Sequence, residues 1–168
     1  MEPKVSIIMG STSDMPVMEG AAKILNDFKI PFEIYALSAH RTPEEVEKFA
    51  RNAASRGIKV IIAGAGMAAH LPGVIASMTT LPVIGVPIKA SLEGLDSVLS
   101  ILQMPSGVPV ATVGINAAQN AGILAAQIIA TGDPEVAEEI KKFKESLKKK
   151  VVQANEELKN VRYPYKTN

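Results

Sequence analysis

The chain contains only two histidines, His40 and His70, and each follows a short apolar segment that is typical of a strand. Histidine has the side-chain pKa nearest neutrality, so it can both give and take a proton at physiological pH. Arg41 follows His40 directly and offers a planar fork of N–H donors that suits a phosphate or a carboxylate. This pairing favours a catalytic loop over the alternative, a surface histidine beside a salt-bridging arginine.

A second polar loop, residues 10–14, follows the first apolar segment of the chain. Gly10 allows a tight turn, and the Ser11 and Ser13 hydroxyls and the next helix N-terminus supply donors that suit a phosphate. Asp14 would repel phosphate, but its carboxylate is a good acceptor for ribose hydroxyls. The alternative is a helix N-cap formed by Ser13 or Asp14.

A third loop, residues 64–73, ends near His70 and begins with Gly64-Ala65-Gly66. This start resembles a dinucleotide-binding fingerprint, which should follow the first strand and precede an acidic residue by about 20 positions. Here it follows the third predicted strand, and Ile84 occupies the later position. We interpret the glycines as allowing the backbone to approach a flat ligand. His70 is then either part of the site or a buried structural histidine.

These loops need a scaffold that brings them together, and the rest of the sequence predicts one. Apolar segments predict five strands, at residues 5–9, 32–37, 60–63, 83–86 and 108–113. Helical periodicity predicts helices at about 14–28, 43–55, 69–78, 94–103 and 117–130, with Thr42 as an N-cap. Alternating strands and helices, with strands apolar throughout, predict an α/β, flavodoxin-like three-layer fold with a five-stranded parallel sheet. Such sheets bind ligands at the carboxyl ends of their strands.

The last part of the chain predicts a long C-terminal helix, residues 134–160, capped by Asp133. Its apolar residues are spaced by threes and fours: Val136, Ile140, Phe143, Leu147, Val151, Ala154 and Leu158. Lysines occupy the opposite face. The helix either packs on its own domain or forms an arm against a neighbouring subunit. No linker interrupts the chain, so we expect a single catalytic domain over residues 1–168.

Composition excludes several classes of function. The net charge of +1 gives no reason to expect binding to nucleic acid or a membrane surface. The absence of cysteine excludes thiolate catalysis. With two histidines a metal site would have to rely on carboxylates, and the sequence shows no clustered carboxylate–histidine set, so we predict no metal and no cofactor. An aromatic content of 4% disfavours a flavin carrier, and Asp14 alone does not make the acidic pocket of a response regulator. The N-terminus lacks the apolar run of a signal peptide, so we expect a cytoplasmic protein.

Three segments carry a resemblance to a known family: residues 9–14, 38–43 and 63–73. They are similar to the signature loops of the class I AIR carboxylase family, which includes the N5-carboxyaminoimidazole ribonucleotide mutases. The resemblance continues through segments 81–87, 96–97 and 103–109 and covers about residues 4 to 131. It implies an isomerase of de novo purine biosynthesis that makes 4-carboxy-5-aminoimidazole ribonucleotide. Segment 68–73 resembles the mutase branch, because the direct carboxylase branch lacks a histidine matching His70.

The resemblance also implies roles for individual residues. His40 matches the general acid and base, Asp14 the ribose contact and Arg41 a phosphate contact, and His70 would shape the pocket. The remaining expected substrate-binding residues are Ser11, Ser13, Ser38, Gly64, Ala65, Gly66 and Leu71. The substrate's carboxylate would leave as CO2, remain trapped and rejoin the imidazole at C4. Family members assemble as octamers, which favours the long helix as an intersubunit arm.

Two features depart from the family pattern beside the expected pocket. Residues 114–120 form a shorter segment than the glycine-rich stretch of many relatives. Met67 stands where glycine is frequent.

Overall fold

A computed structural model describes the whole chain, Met1–Asn168, and contains one parallel sheet of five strands. The strands are β1 (Val5–Met9), β2 (Phe32–Ala36), β3 (Val60–Gly66), β4 (Val83–Ile88) and β5 (Ala111–Thr112). Their order across the sheet is β2-β1-β3-β4-β5, so the predicted flavodoxin-like fold is confirmed. The chain reverses its direction of winding between β1 and β3, which makes the carboxyl ends of these strands the expected ligand position.

Helices cover both faces of the sheet because successive strand residues point to opposite sides. Ile7 belongs to a core shared with α1 (Met15–Asp27), α5 (Ala118–Ala130) and the start of α6 (Pro134–Leu158). Its neighbour Ile8 belongs to the core on the other face, with α2 (Pro43–Asn52), α3 (Leu71–Ala76) and α4 (Leu95–Leu102). This is the three-layer arrangement that the alternating pattern predicts. None of the helices combines the length and apolarity needed to cross a membrane.

Several elements differ in length from the sequence prediction. Strand β5 has two residues where six were predicted, because Pro109 cannot donate a ladder hydrogen bond. The Val108 N–H instead closes a turn on the Pro105 carbonyl, at 3.2 Å. Strand β3 runs three residues further than predicted, to Gly66, because its glycines continue pairing with β4. Helix α2 ends at Asn52 and is followed by a short 3-10 turn, Ala54–Arg56.

Helix α6 packs on the domain only at its beginning. The Asp133 carboxylate caps it by accepting the Val136 N–H at 3.3 Å, and it also accepts a hydrogen bond from Lys4 Nζ at 2.9 Å. The Lys4 hydrogen bond is the main reason why the pKa of Asp133 lies below its ordinary value. Phe143 meets Phe28 edge to face, with ring centroids 5.4 Å apart. After Phe143 the apolar side chains of α6 have no core to cover them.

Candidate active site

Loops after four of the strands surround a cleft of about 450 Å³, a volume in the range of small-molecule sites. The cleft lies at the carboxyl edge of the sheet, where β1, β2 and β3 end. Its lining residues are Gly10, Ser11, Ser13, Asp14, Ser38, Ala39, His40, Arg41, Ala65, Gly66, Met67, Ala68, His70, Leu71 and Ala90. The structure therefore brings together every site residue predicted from the sequence except Gly64.

The loop after β1, residues 10–14, presents hydroxyl groups and one carboxylate to the cleft. The Ser11 hydroxyl accepts the Ser13 N–H at 3.3 Å and lies 3.0 Å from the Ser13 hydroxyl. Asp14 begins α1 without capping it through its side chain, and it lines the cleft, so its carboxylate keeps acceptor capacity for a ligand. Burial raises the pKa of Asp14 above its ordinary value, while the Ser11 N–H and the Arg41 charge act in the opposite direction.

The loop after β2 holds Arg41 across the entrance of the first loop. Arg41 Nη2 donates to the Gly10 carbonyl at 2.8 Å, and Nε donates to the Ser38 hydroxyl at 3.3 Å. These contacts leave Nη1 without a hydrogen-bond partner in the protein. The guanidinium is thus fixed in place while part of its donor fork remains available to an anion.

Thr42 occupies the N-cap position of α2, as predicted, but its side chain makes no capping hydrogen bond. Its hydroxyl instead accepts the Ser38 N–H at 2.9 Å and donates to the Ser38 carbonyl at 3.1 Å. A hydroxyl engaged with the other end of its own loop is not available to the first turn of the helix. The result is a closed five-residue loop that carries His40 and Arg41 at its tip.

The two histidines are in direct contact. His40 Nε2 lies 2.8 Å from His70 Nδ1, and the rings are close to perpendicular, at 81°. Both side chains are exposed in the cleft, so His70 is not a buried structural histidine. One ring donates and the other accepts, and the remaining nitrogen of each ring makes no hydrogen bond within the protein. The pair therefore keeps two nitrogens available to a ligand.

The segment around Gly64 divides between core and cleft. Gly64 lies inside β3, and the direction of its missing β-carbon is occupied by the Met18 thioether and by Ile88. Its lack of a side chain is explained by packing, and contact between Gly64 and a substrate stays a prediction. A β-carbon added at Gly66 would lie 3.0 Å from the Ile88 carbonyl oxygen, but Gly66 also lines the cleft.

Three alanines of the cleft wall were not among the site residues predicted from the sequence. Ala39 and Ala68 line the cleft between the predicted residues, and Ala90 reaches it from the loop after β4. Alanine gives no chemical signal, and only the adjacency of β3 and β4 could have indicated Ala90. No group of three or more histidine, aspartate or glutamate side chains is arranged so that it could hold a metal ion.

The strand order and the cleft with a histidine pair at its switch point define a flavodoxin-like α/β protein with a small-molecule site at the sheet edge. A family model described as AIR carboxylase matches residues 4–150. The chain belongs to the AIR carboxylase family, as the resemblance of its loops indicated.

Individual relatives support this assignment over most of the chain. An N5-carboxyaminoimidazole ribonucleotide mutase of Thermotoga maritima is 59% identical over 162 residues, 96% of this chain and 95% of the relative. A phosphoribosylaminoimidazole carboxylase of Schizosaccharomyces pombe is 56% identical over 160 residues, which cover 95% of this chain and 29% of that protein. The crystal structure of Treponema denticola PurE superimposes with a TM-score of 0.86 at 34% identity, covering 94% of this chain and 99% of that one.

Proposed function

We propose that this protein isomerises N5-carboxyaminoimidazole ribonucleotide to 4-carboxy-5-aminoimidazole ribonucleotide in de novo purine biosynthesis. The observation that carries the proposal is the hydrogen-bonded pair of His40 and His70 beside Arg41 in one cleft. An isomerisation that moves a carboxylate needs a proton to be given and taken, and it needs an anchor for a phosphorylated substrate. The name of the Thermotoga relative agrees with this reaction.

The cleft offers complementary groups for each part of a ribonucleotide. The free part of the Arg41 guanidinium and the hydroxyls of Ser11, Ser13 and Ser38 supply donors for the phosphate. The Asp14 carboxylate supplies an acceptor for ribose hydroxyls. The small residues Ala65 and Gly66 leave room for a flat imidazole against the end of β3.

The histidine pair supplies the proton chemistry. In the first step the bond between the carbamate carbon and the exocyclic nitrogen breaks, CO2 forms, and His40 gives its proton to that nitrogen. In the second step imidazole C4 attacks CO2, the new carbon–carbon bond forms, and the C4 proton passes to His40. The His40 ring returns to its starting state, so the cycle needs no oxidant, ATP or external base. When His40 carries both protons, its Nε2–H has an acceptor in His70 Nδ1.

The test offers the purified protein two substrates in parallel. One reaction contains N5-carboxyaminoimidazole ribonucleotide without added bicarbonate, and the other contains aminoimidazole ribonucleotide with bicarbonate. We expect the 4-carboxylated product to form much faster in the first reaction. Product from the second reaction alone would instead indicate a direct carboxylase, the second candidate that the name of the Schizosaccharomyces relative raises.

We also propose that the protein works in the cytoplasm as a homo-oligomer, with the octamer as the size that the family resemblance implies. Two exposed apolar surfaces support self-association. One is the free part of α6, where Leu147 and Val151 are 45% and 64% exposed. The other is the outer face of α4, where Leu95, Leu99 and Leu102 are exposed. Exposed apolar patches of this kind are typical of protein–protein contacts.

A further inference from the structure

Met67 is the one cleft residue that combines a left-handed backbone with a side chain. Its φ is +56°, in the region that glycine adopts without strain. Its apolar side chain is 61% exposed at the edge of the cleft that His40 and His70 line. Both properties cost stability, since glycine would relieve the backbone strain and remove an apolar group from water.

The backbone role of this position is separable from its side chain. The Met67 carbonyl accepts the Ala69 N–H at 2.9 Å, and the Ala68 carbonyl accepts the His70 N–H at 2.8 Å. This turn connects the end of β3 to His70. The turn needs a left-handed residue but no side chain, so the methionine must be explained by what its thioether can contact.

The residues around Met67 in the cleft indicate what its side chain could contact. The neighbouring wall residues Ala65, Ala68 and Ala90 are too short to reach across a bound ligand. Methionine is long, unbranched and flexible, and it adapts its shape to apolar surfaces. A neutral, apolar gas formed beside the histidine pair would be held by an apolar cover and would escape through an open, wetted cleft.

We propose that Met67 is a positioning residue whose side chain folds over the reacting end of the bound nucleotide and slows the escape of CO2. This inference rests on the proposed isomerase function. The bond changes are those already given: CO2 leaves the exocyclic nitrogen and rejoins at C4. Met67 takes no part in bond making. Its side chain raises the fraction of the released CO2 that is recaptured.

The test follows the carboxyl carbon with an isotope. Substrate labelled with ¹³C in its carbamate group reacts in excess unlabelled bicarbonate, and mass spectrometry measures the labelled fraction of the 4-carboxylated product. The full-length wild type is compared with Met67→Gly, which removes strain and side chain, and Met67→Ala, which removes only the side chain. Met67→Leu keeps an apolar side chain on the same backbone. Thermal unfolding and sedimentation of each variant are measured in parallel.

We expect the wild type to retain most of the label. The unlabelled share of the product should rise about fivefold in Met67→Gly and Met67→Ala and return toward the wild-type share in Met67→Leu. Met67→Gly should also unfold at a higher temperature than the wild type, so that stability and CO2 retention change in opposite directions. No purely structural role for the side chain gives that combination.

Equal label retention in all four proteins would overturn the inference while leaving the isomerase function intact. Loss of subunit association in both Met67→Gly and Met67→Ala would also overturn it, because the side chain would then hold subunits together. Failure of the proposed function itself looks different, because the wild type would then give no 4-carboxylated product from the labelled substrate.

Discussion

His40 and His70 are hydrogen-bonded to each other, with Nε2 of the first 2.8 Å from Nδ1 of the second. Two loops that are separate in the chain produce this contact, because β1 pairs with both β2 and β3 and brings their carboxyl ends to one edge. The contact orients the His40 ring and gives its protonated form an acceptor. In the proposed mechanism His40 carries the proton, so a change at His70 should alter how readily His40 gives and takes it.

The ionised Asp14 carboxylate is predicted to lower the free energy of unfolding and to strengthen nucleotide binding. Burial raises its pKa, so the folded protein accommodates the ionised carboxylate less well than the unfolded chain does. The free energy of unfolding therefore falls as the pH rises through the ordinary carboxyl pKa to the raised one, and stays lower above it. At neutral pH, Asp14→Asn should increase the free energy of unfolding and weaken nucleotide binding.

Urea denaturation at several pH values, with calorimetric titration of the nucleotide, measures both effects. The gain in stability should vanish below the ordinary carboxyl pKa, where Asp14 is protonated in both states. Glu138→Gln, at an exposed carboxylate on α6, serves as the control and should show no comparable pattern. A loss of stability in Asp14→Asn at neutral pH would contradict the desolvation argument.

The absence of a side chain at Gly64 is predicted to be required for close packing between β3 and Met18. A β-carbon there would collide with the Met18 thioether, so Gly64→Ala should destabilise the fold by about 1–3 kcal/mol. Met18→Val shortens the obstructing side chain, and the double variant should lose less stability than the sum of the single variants. Gly10→Ala is the control, because an added β-carbon there meets no atom within 4 Å. If Gly64→Ala instead leaves stability unchanged and weakens nucleotide binding, Gly64 contacts the substrate and the packing explanation is wrong.

The free part of α6 is predicted to hold subunits together. Changing Leu147 and Val151 together to serine removes exposed apolar surface without touching Val136, Ile140 or Phe143, which pack on the domain. Sedimentation velocity should then show smaller particles than the wild type. The matched control changes Lys144 and Lys148 to serine and should leave the particle size unaltered. A wild-type protein that sediments as a monomer at micromolar concentration would refute the proposal.

Catalysis is predicted to need no added metal ion. The proton chemistry is assigned to His40 and the charge on the substrate to Arg41, so no step requires a Lewis acid. Prolonged dialysis against a chelator should therefore leave the turnover number unchanged when product formation is measured before and after. Loss of turnover that a divalent cation restores would be incompatible with this assignment.

The sequence was sufficient to predict the fold because its signals are periodic and local. Uniformly apolar segments such as residues 60–63 indicate strands buried on both faces, and the Asp133 cap marks the start of α6. The clustering of the three polar loops then follows from topology, since parallel strands bring their carboxyl ends to one edge. The roles proposed for the site residues follow from their side-chain chemistry together with the family resemblance.

Other features depend on contacts that no local pattern encodes. Thr42 has the ordinary position of an N-cap, but the Ser38 backbone competes for its hydroxyl. Gly64 stands in a glycine-rich motif that suggests a ligand, yet the space that a β-carbon there would need is occupied by Met18, which is far away in sequence. The contact between His40 and His70 likewise depends on the register of three strands. These contacts join residues that are distant in sequence, so they become visible only in the folded structure.

The most direct test of the account compares turnover and nucleotide affinity in His40→Asn and Arg41→Ala. Loss of the proton carrier should lower turnover by about 10²–10⁴-fold, while affinity for aminoimidazole ribonucleotide stays within a few-fold of the wild type. Arg41→Ala should instead weaken binding by roughly 1.5–3 kcal/mol, the size of a charge-assisted hydrogen bond. His70→Asn should lower turnover less than His40→Asn does. If His40→Asn folds normally, binds the nucleotide and turns over at nearly the wild-type rate, His40 is not the proton carrier and the proposed mechanism is wrong.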